Sequence, residues 1–184
     1  LGWEPSFEGR NGHYAIGGWY SSAPRADAVQ PLPVHAGGST ALLRTGAYGG
    51  WASAQQQLTG GSGSSDASGL RAQLAFAQGD RRTGDIDQMV SLQLIQTGTV
   101  RSRPEDRIGF GLASTRVNPR AAAFQQRRDG GALAAREHVA ELFYGWKPGR
   151  GLDLQPGVQY VRHPGGLASR KDAVVLGIKA DVRF

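Results

Sequence analysis

The 184-residue sequence contains no cysteine and no long apolar run. Without cysteine there can be no disulfide, no thiol nucleophile and no thiolate metal site. A membrane-spanning α-helix needs about 20 predominantly apolar residues. The sequence has no such stretch, which excludes a transmembrane helix. A membrane-spanning β-strand needs only about 9 to 11 residues of alternating hydrophobicity. The mean hydropathy of -0.38 therefore does not exclude a β-barrel.

Clusters of basic residues are also lacking, although the net charge is +6 and the isoelectric point is about 10.2. The basic residues are scattered, and the adjacent ones form only short pairs such as Arg81-Arg82 and Arg127-Arg128. A nucleic-acid-binding surface gathers its positive charge on one face. We therefore expect no nucleic acid among the partners of this protein.

Motifs of metal and cofactor chemistry are missing as well. The four histidines, at positions 13, 35, 138 and 163, are far apart and show no HExxH spacing. No Walker A or dinucleotide-binding fingerprint is present, and the GGSGSS segment lacks the strand-turn-helix context of a nucleophile elbow. We expect no catalytic residue, no metal and no cofactor, and hence no enzyme.

Glycine is abundant at 28 residues, and the chain begins with Leu1 without a signal peptide. So much glycine is typical of many strands and turns and argues against a leucine-rich helical bundle. The start at Leu1 leads us to expect a processed product or a fragment of a longer chain.

The last thirteen residues, DAVVLGIKADVRF, show the clearest pattern in the chain. Side chains of a strand point alternately to its two faces. One face of this segment is apolar and ends in Phe184. The other face carries Lys179, Asp181 and Arg183. The segment is therefore predicted to be a strand with one apolar and one polar face.

Similar alternation of similar length predicts seven further strands. They cover about residues 11–22, 43–57, 70–78, 86–96, 107–117, 137–146 and 152–162. Residues 118–135 have helical propensity, but Gly130-Gly131 divides them, so we predict a long loop with room for a helical turn.

The predicted connections differ on the two sides of these strands. If the carboxyl terminus is periplasmic, the two longest connections, 23–41 and 118–135, fall on the outer side, and KPGRG is a tight inner turn. Long external loops with short internal turns are typical of outer-membrane barrels. The sequence thus predicts an all-β antiparallel transmembrane β-barrel. A soluble β-sandwich explains the alternation but not this asymmetry.

Several segments resemble one known family. EHVAELFYGWKPGRGLDLQPGVQYVRHPGG, with its LQP, QYV and HPGG pieces, and the terminal DAVVLGIKADVRF are similar to the carboxyl-terminal signature of the carbohydrate-selective porins, the OprB-like porins of bacterial outer membranes. Upstream, HYAIGGWY, AYGGWASAQQQL and RPEDRIGFGLA resemble earlier segments of the family. The resemblance spans most of the chain and is most specific in the final third.

This resemblance implies a sixteen-stranded barrel for passive sugar uptake, of which residues 1–184 would supply about eight strands as a single carboxyl-terminal barrel region. Gly2-Trp3-Glu4-Pro5 echoes Gly145-Trp146-Lys147-Pro148, so we expect Leu1 to Trp3 to be the tail of an earlier strand. The expected partners are outer-membrane lipid, small carbohydrates, and a missing amino-terminal half or another chain that closes the barrel. The resemblance also implies that barrel-assembly machinery recognises the terminal Phe184.

Polar and aromatic side chains on the predicted polar faces are the candidate pore-lining, sugar-binding residues. They are Trp51, Arg71, Gln93, Arg107, Glu141, Phe143, Gln155 and Gln159. Arginine, glutamate and glutamine can bond sugar hydroxyls, and an aromatic ring can stack on a pyranose. The alternatives are that these side chains only solvate a pore wall, or that the protein is a non-conducting outer-membrane barrel acting as an anchor or structural subunit of an envelope assembly.

Overall fold

The computed structural model describes residues 1–29, 42–60, 68–149 and 151–183. These ranges contain twelve strands and one α-helix. The strands are β1 (Gly2–Trp3), β2 (Ser6–Phe7), β3 (Arg10–Ser21), β4 (Arg25–Ala26), β5 (Leu43–Arg44), β6 (Ala47–Gln57), β7 (Gly69–Gly79), β8 (Ile86–Thr97), β9 (Arg107–Val117), β10 (Arg136–Gly149), β11 (Leu152–Arg162) and β12 (Ala173–Val182). The helix α1 is Pro119–Asp129, and a 3-10 turn covers Pro164–Gly166.

One antiparallel sheet contains all the long strands, in the order β1-β3-β6-β7-β8-β9-β10-β11-β12. The eight predicted strands correspond to β3 and to β6 through β12, which confirms them. The predicted strand tail at Leu1 to Trp3 is β1, which pairs with β3 through Gly2 and Ala15. Within the described residues β12 pairs only with β11, so the two edges of the sheet do not meet.

The two faces of the sheet differ in polarity, and the apolar face is the exposed one. Leu142 on β10 is 52% exposed and Leu176 on β12 is 80% exposed, and both lie on this face. Among the described residues, the buried apolar side chains are only Ala47, Ala121, Ala122 and Phe143. A soluble protein of this size gathers its large apolar side chains in a core. Here they cover the outside of the sheet.

The connections give the sheet two unlike ends. The loop end carries the connections 22–46, 80–85, 118–135 and 163–172, and the turn end carries 58–68, 98–106 and 150–151. The two longest connections lie at the loop end, as predicted, although 80–85 is shorter than 58–68. Most of the predicted loop 23–41 lies outside the described residues, as does Phe184.

The prediction of a loop with a helical turn at 118–135 was wrong in its extent, because α1 makes three turns there. Asn118 begins the helix by accepting a hydrogen bond from the Arg120 N–H (3.0 Å) through its side-chain oxygen, and Pro119 occupies the first helical position. Gly130 ends the helix in the left-handed conformation, at φ 67°. No helix in the described residues is long and apolar enough to cross a membrane.

Candidate functional site

A row of polar side chains crosses the sheet on the face opposite the exposed apolar residues. The register between neighbouring strands aligns this row from β6 to β11. On β9 the aligned position is Gly111, which has no side chain and interrupts the row. The polar row consists of Gln55, Gln73, Gln93, Glu141 and Gln159. Directly paired residues have Cβ atoms about 4.5 to 5.5 Å apart. The row therefore presents a nearly continuous line of amide and carboxylate groups.

A central hollow of about 400 Å³ lies beside this row. Five of the eight predicted site residues line it, so the structure brings together Gln93, Glu141, Phe143, Gln155 and Gln159. Lys179 of β12 completes the wall and adds a positive charge. Carboxylate, amide and ammonium groups thus line one hollow. These groups can accept hydrogen bonds from a polyhydroxylated molecule and donate hydrogen bonds to it.

Phe143 forms a wall of this hollow and is only 6% exposed. Its ring lies against Gly109, where an added Cβ would overlap the ring atoms Cζ and Cε1. Gly157 flanks the same side chain on β11. Glycine at position 109 therefore makes room for the ring. Little of the ring remains free for a sugar to stack on.

Arg107 borders a second hollow of about 440 Å³, nearer the turn end, that shares Gln155 and Lys179 with the central one. Its guanidinium reaches across Gly145 and donates to both carboxylate oxygens of Asp153, at 2.8 and 3.1 Å. It also donates to Gln155 Oε1 at 3.3 Å. Such a two-pronged pair fixes both side chains in one geometry.

A third hollow of about 200 Å³ adjoins the other side of the central one and shares Gln93 and Glu141 with it. Gln73 and Ser91 also line it. The three hollows together form a polar track along the sheet, running from Gln73 through the central hollow to Arg107.

Two of the predicted site residues lie outside this polar track, although both are on the same face of the sheet as the track. Trp51 pairs with Gly17 and Ala77, nearer the loop end than the polar row. Its ring packs over Gly17, whose added Cβ would stand 2.6 Å from Trp51 Cε2, yet the residue stays 46% exposed. Arg71 pairs with Ile95 next to the polar row and borders none of the three hollows.

The structure contains a network of arginines and buried acids at the loop end, which the sequence analysis did not predict. Asp27 accepts from Arg44 Nε at 2.6 Å and from Arg120 Nη2 at 3.2 Å, so it ties the connection 22–46 to α1. Burial alone would raise the pKa of Asp27, but hydrogen bonds from Arg44 and Val29 and the charge of Arg120 outweigh it and lower that pKa.

Two further buried acids complete this network. Asp80 is bonded by Arg82, and this hydrogen bond lowers the pKa of the carboxyl group. Asp87 accepts from Arg81 Nε at 2.6 Å and from Arg116 Nε at 2.8 Å. Arg120 and Asp27 lie 93 positions apart, a separation at which no sequence pattern signals a contact. The Asn118-Pro119 start of α1 is the one signal that sequence reasoning could have used.

Metal-binding geometry is not found in the part of the chain that the structure describes. No group of three or more histidine, cysteine, aspartate or glutamate side chains is placed there to hold an ion. The acids of the loop-end network are held by arginines instead.

An antiparallel sheet with an exposed apolar face and a polar track on the other face defines a membrane-spanning β-barrel protein. Its sequence matches the carbohydrate-selective porin, OprB family over residues 1–184, and the chain belongs to that family. Members of this family are channel proteins, and the chain is located in the bacterial outer membrane.

Two curated relatives and one solved protein are similar to the chain. Porin B of Pseudomonas aeruginosa is 32% identical over 99% of this chain and 44% of its own length. The putative porin QuiX of Acinetobacter baylyi is 29% identical over 100% of this chain and 44% of its own length. The high-pH structure of Pseudomonas putida OprB superposes with a TM-score of 0.83 at 28% identity, covering 98% of this chain and 46% of that one. The low-pH structure of the same protein gives 0.62 at 25% identity, covering 98% and 44%. The chain thus spans less than half the length of these relatives.

Proposed function

We propose that this chain forms part of the wall of an outer-membrane porin through which small sugars diffuse passively. The observation that carries this proposal is the polar track, whose three hollows adjoin on the face opposite the apolar one. Membership of the carbohydrate-selective porin family supports sugars as the permeating class.

The chemistry of the track fits neutral polyhydroxylated molecules. Glutamine amides both donate and accept hydrogen bonds, Glu141 accepts them, and Lys179 donates them. Spread over several hollows, these groups can bind a sugar weakly at successive positions. A channel has to release what it binds, so weak binding at several sites suits it better than one tight site. The half-exposed ring of Trp51 supplies an apolar face nearer the loop end.

A conducting pore also needs strands that the described sheet does not contain. Eight strands enclose an interior that side chains fill, whereas about sixteen strands leave an aqueous channel. Open sheet edges in lipid leave backbone groups without hydrogen bonds, at a cost of several kcal/mol for each group. We propose that β12, and the part of β3 that β1 does not cover, pair with strands outside residues 1–184, from the same or another chain. Recognition of Phe184 by assembly machinery stays a prediction.

Planar-bilayer recording of the full-length protein, with and without added sugar, tests the proposal. We expect a steady conductance that sugar partly blocks. Replacing Glu141 with Gln and Gln159 with Ala removes hydrogen-bonding groups from the central hollow, so the half-blocking sugar concentration should rise roughly five- to tenfold. The control Glu8→Gln changes an exposed acid at the turn end and should leave the block unchanged. A complete absence of conductance would contradict the channel and favour the structural anchor.

A further inference from the structure

A line of cationic and polar side chains lies on the apolar face of the sheet, at its boundary with the loop end. Ser114, His138 and Arg162 are neighbours in one cross-strand row on β9, β10 and β11. Arg116 and Arg136 form the next row toward the loop end. These two rows are the basic rim. They lie where an exposed apolar surface gives way to loops.

A groove of about 350 Å³ begins directly below the basic rim. Its floor consists of the apolar side chains Val90, Leu92, Leu112 and Ala140, and its upper wall consists of His138 and Arg162. The groove therefore combines an apolar floor with one cationic end. Since it lies on the face that contacts lipid, it is continuous with the membrane interface.

Acids among the described residues balance only part of the positive charge of the basic rim. Arg136 bonds only neutral groups there, the Oε1 of Gln88 and the Oγ of Ser114. The charge of Arg162 acts on one acid, Asp172, whose carboxylate already accepts hydrogen bonds from the Tyr160 hydroxyl and the His163 N–H. Arg162 thus interacts with Asp172 through charge alone, without a direct hydrogen bond to it among the described residues, and Arg162 is exposed.

A second acid, Asp87, lies beside the rim but is shared between Arg81 and Arg116. Two guanidinium groups thus face one carboxylate at that position. The rim as a whole keeps an excess of positive charge.

We propose that this groove holds one anionic lipid of the membrane leaflet at the loop end. Its phosphate lies against Arg162 and Arg136, and an acyl chain occupies the groove over Leu112 and Ala140. Arginine bonds phosphate oxygens in a two-pronged geometry, so the exposed guanidinium of Arg162 suits a phosphate. A basic group near a membrane surface adds about 1 kcal/mol to the binding of an anionic lipid.

The test measures lipid retained by the full-length protein in detergent, by native mass spectrometry. The probes are phosphatidylglycerol and phosphatidylcholine with the same acyl chains. We expect phosphatidylglycerol to be retained preferentially. Arg162→Gln should weaken its retention roughly fivefold, the effect of one basic group. Ala140→Phe should weaken it comparably, because the larger side chain fills the groove.

Arg101→Gln is the matched control, since it removes one exposed charge from the turn end and should not change retention. Heat-resistant migration in gel electrophoresis confirms that each variant is folded. Three results would overturn the proposal: equal retention of the two lipids, equal losses in Arg162→Gln and Arg101→Gln, or displacement of the lipid by millimolar inorganic phosphate. The last result would identify a site for the free anion.

Discussion

At the residue scale, the contact between Phe143 and Gly109 is the most sensitive point of the polar track. A Cβ at position 109 would overlap the Phe143 ring, so Gly109→Ala forces that ring out of its seat. Overpacking of this kind costs about 1 to 3 kcal/mol. We expect Gly109→Ala to lower the urea midpoint of unfolding and to reduce conductance, because the displaced ring moves into the central hollow.

Gly177 provides the control for this substitution. It lines the same hollow from β12, and nothing stands within 4 Å of a Cβ built there, so Gly177→Ala should leave the urea midpoint unchanged and reduce conductance much less than Gly109→Ala. The double change Gly109→Ala with Phe143→Leu should recover part of the conductance. Equal effects of Gly109→Ala and Gly177→Ala would mean that the Phe143 ring is not seated on Gly109.

The candidate site was only partly predictable from single residues. Strand alternation has period 2, so it assigned Gln93, Glu141 and Gln159 to one face without knowledge of the fold. It could not show that these three share one row, because the row depends on the register between strands, which turns and long-range pairing decide. The same limit hid the separation of Trp51 from the central hollow.

At the element scale, α1 depends on Asn118, which is fully buried. Its amide donates to the carbonyls of Arg81 (2.7 Å) and Gly84 (2.6 Å), and its oxygen caps the helix. Asn118→Ala removes the cap and the donor to these two carbonyls, a loss of roughly 2 kcal/mol. We expect amide hydrogen exchange of residues 119–129 to accelerate at least tenfold.

Asn11→Ala is the comparison for that variant, because Asn11 is exposed on β3 and no hydrogen bond of its side chain is found among the described residues. Its exchange pattern should match that of the unmodified protein. If α1 exchanged at the same rate in both variants, Asn118 would not be holding the helix.

The loop-end network should respond to acid. The folded-state pKa values of Asp27 and Asp80 lie below the ordinary 3.8. A carboxyl group whose pKa is lowered by folding stabilises the folded state at pH values above its ordinary pKa. This stability is lost as the pH falls through the pKa of the folded state. Exchange in residues 22–29 and 119–129, corrected for its intrinsic pH dependence, should therefore stay constant from about pH 5 to 8 and rise below pH 3.8.

Asp27→Asn checks this assignment at neutral pH. It removes the charge that Arg44 and Arg120 share, so residues 22–29 should exchange faster at pH 7 and respond less to acid. Central strands such as β9 serve as the internal reference. A response to acid that is the same in Asp27→Asn and in the unmodified protein would assign it to other groups.

Elements differ in how far the sequence predicts them. All eight long strands were predictable, because each spans a membrane-length segment with its own alternation. Helix α1 was not, because Gly130-Gly131 suggested an early break and a small polar helix has little intrinsic stability. Its stability comes from Asn118 and from the Arg120–Asp27 contact, which exist only after distant connections meet.

At the scale of the whole molecule, the open edges of the sheet lead to the last prediction. In the described residues, β3 and β12 do not pair with each other. Residues 1–184 alone, refolded in detergent, should therefore form no conducting monomer. Because the sequence has no cysteine, introduced cysteine pairs report unambiguously on which strands are neighbours. The measurements are bilayer conductance and disulfide formation.

Gln159 and Val175 are direct partners on β11 and β12, so cysteines at these two positions should form a disulfide readily. Val175→Cys combined in turn with Gly17→Cys or Trp19→Cys, on the part of β3 that β1 does not cover, should not form an intramolecular disulfide, in the isolated chain or in the full-length protein. A β3–β12 disulfide within a monomer would mean that eight strands close on themselves. Side chains would then fill the interior, and the polar track could not be the wall of a sugar channel.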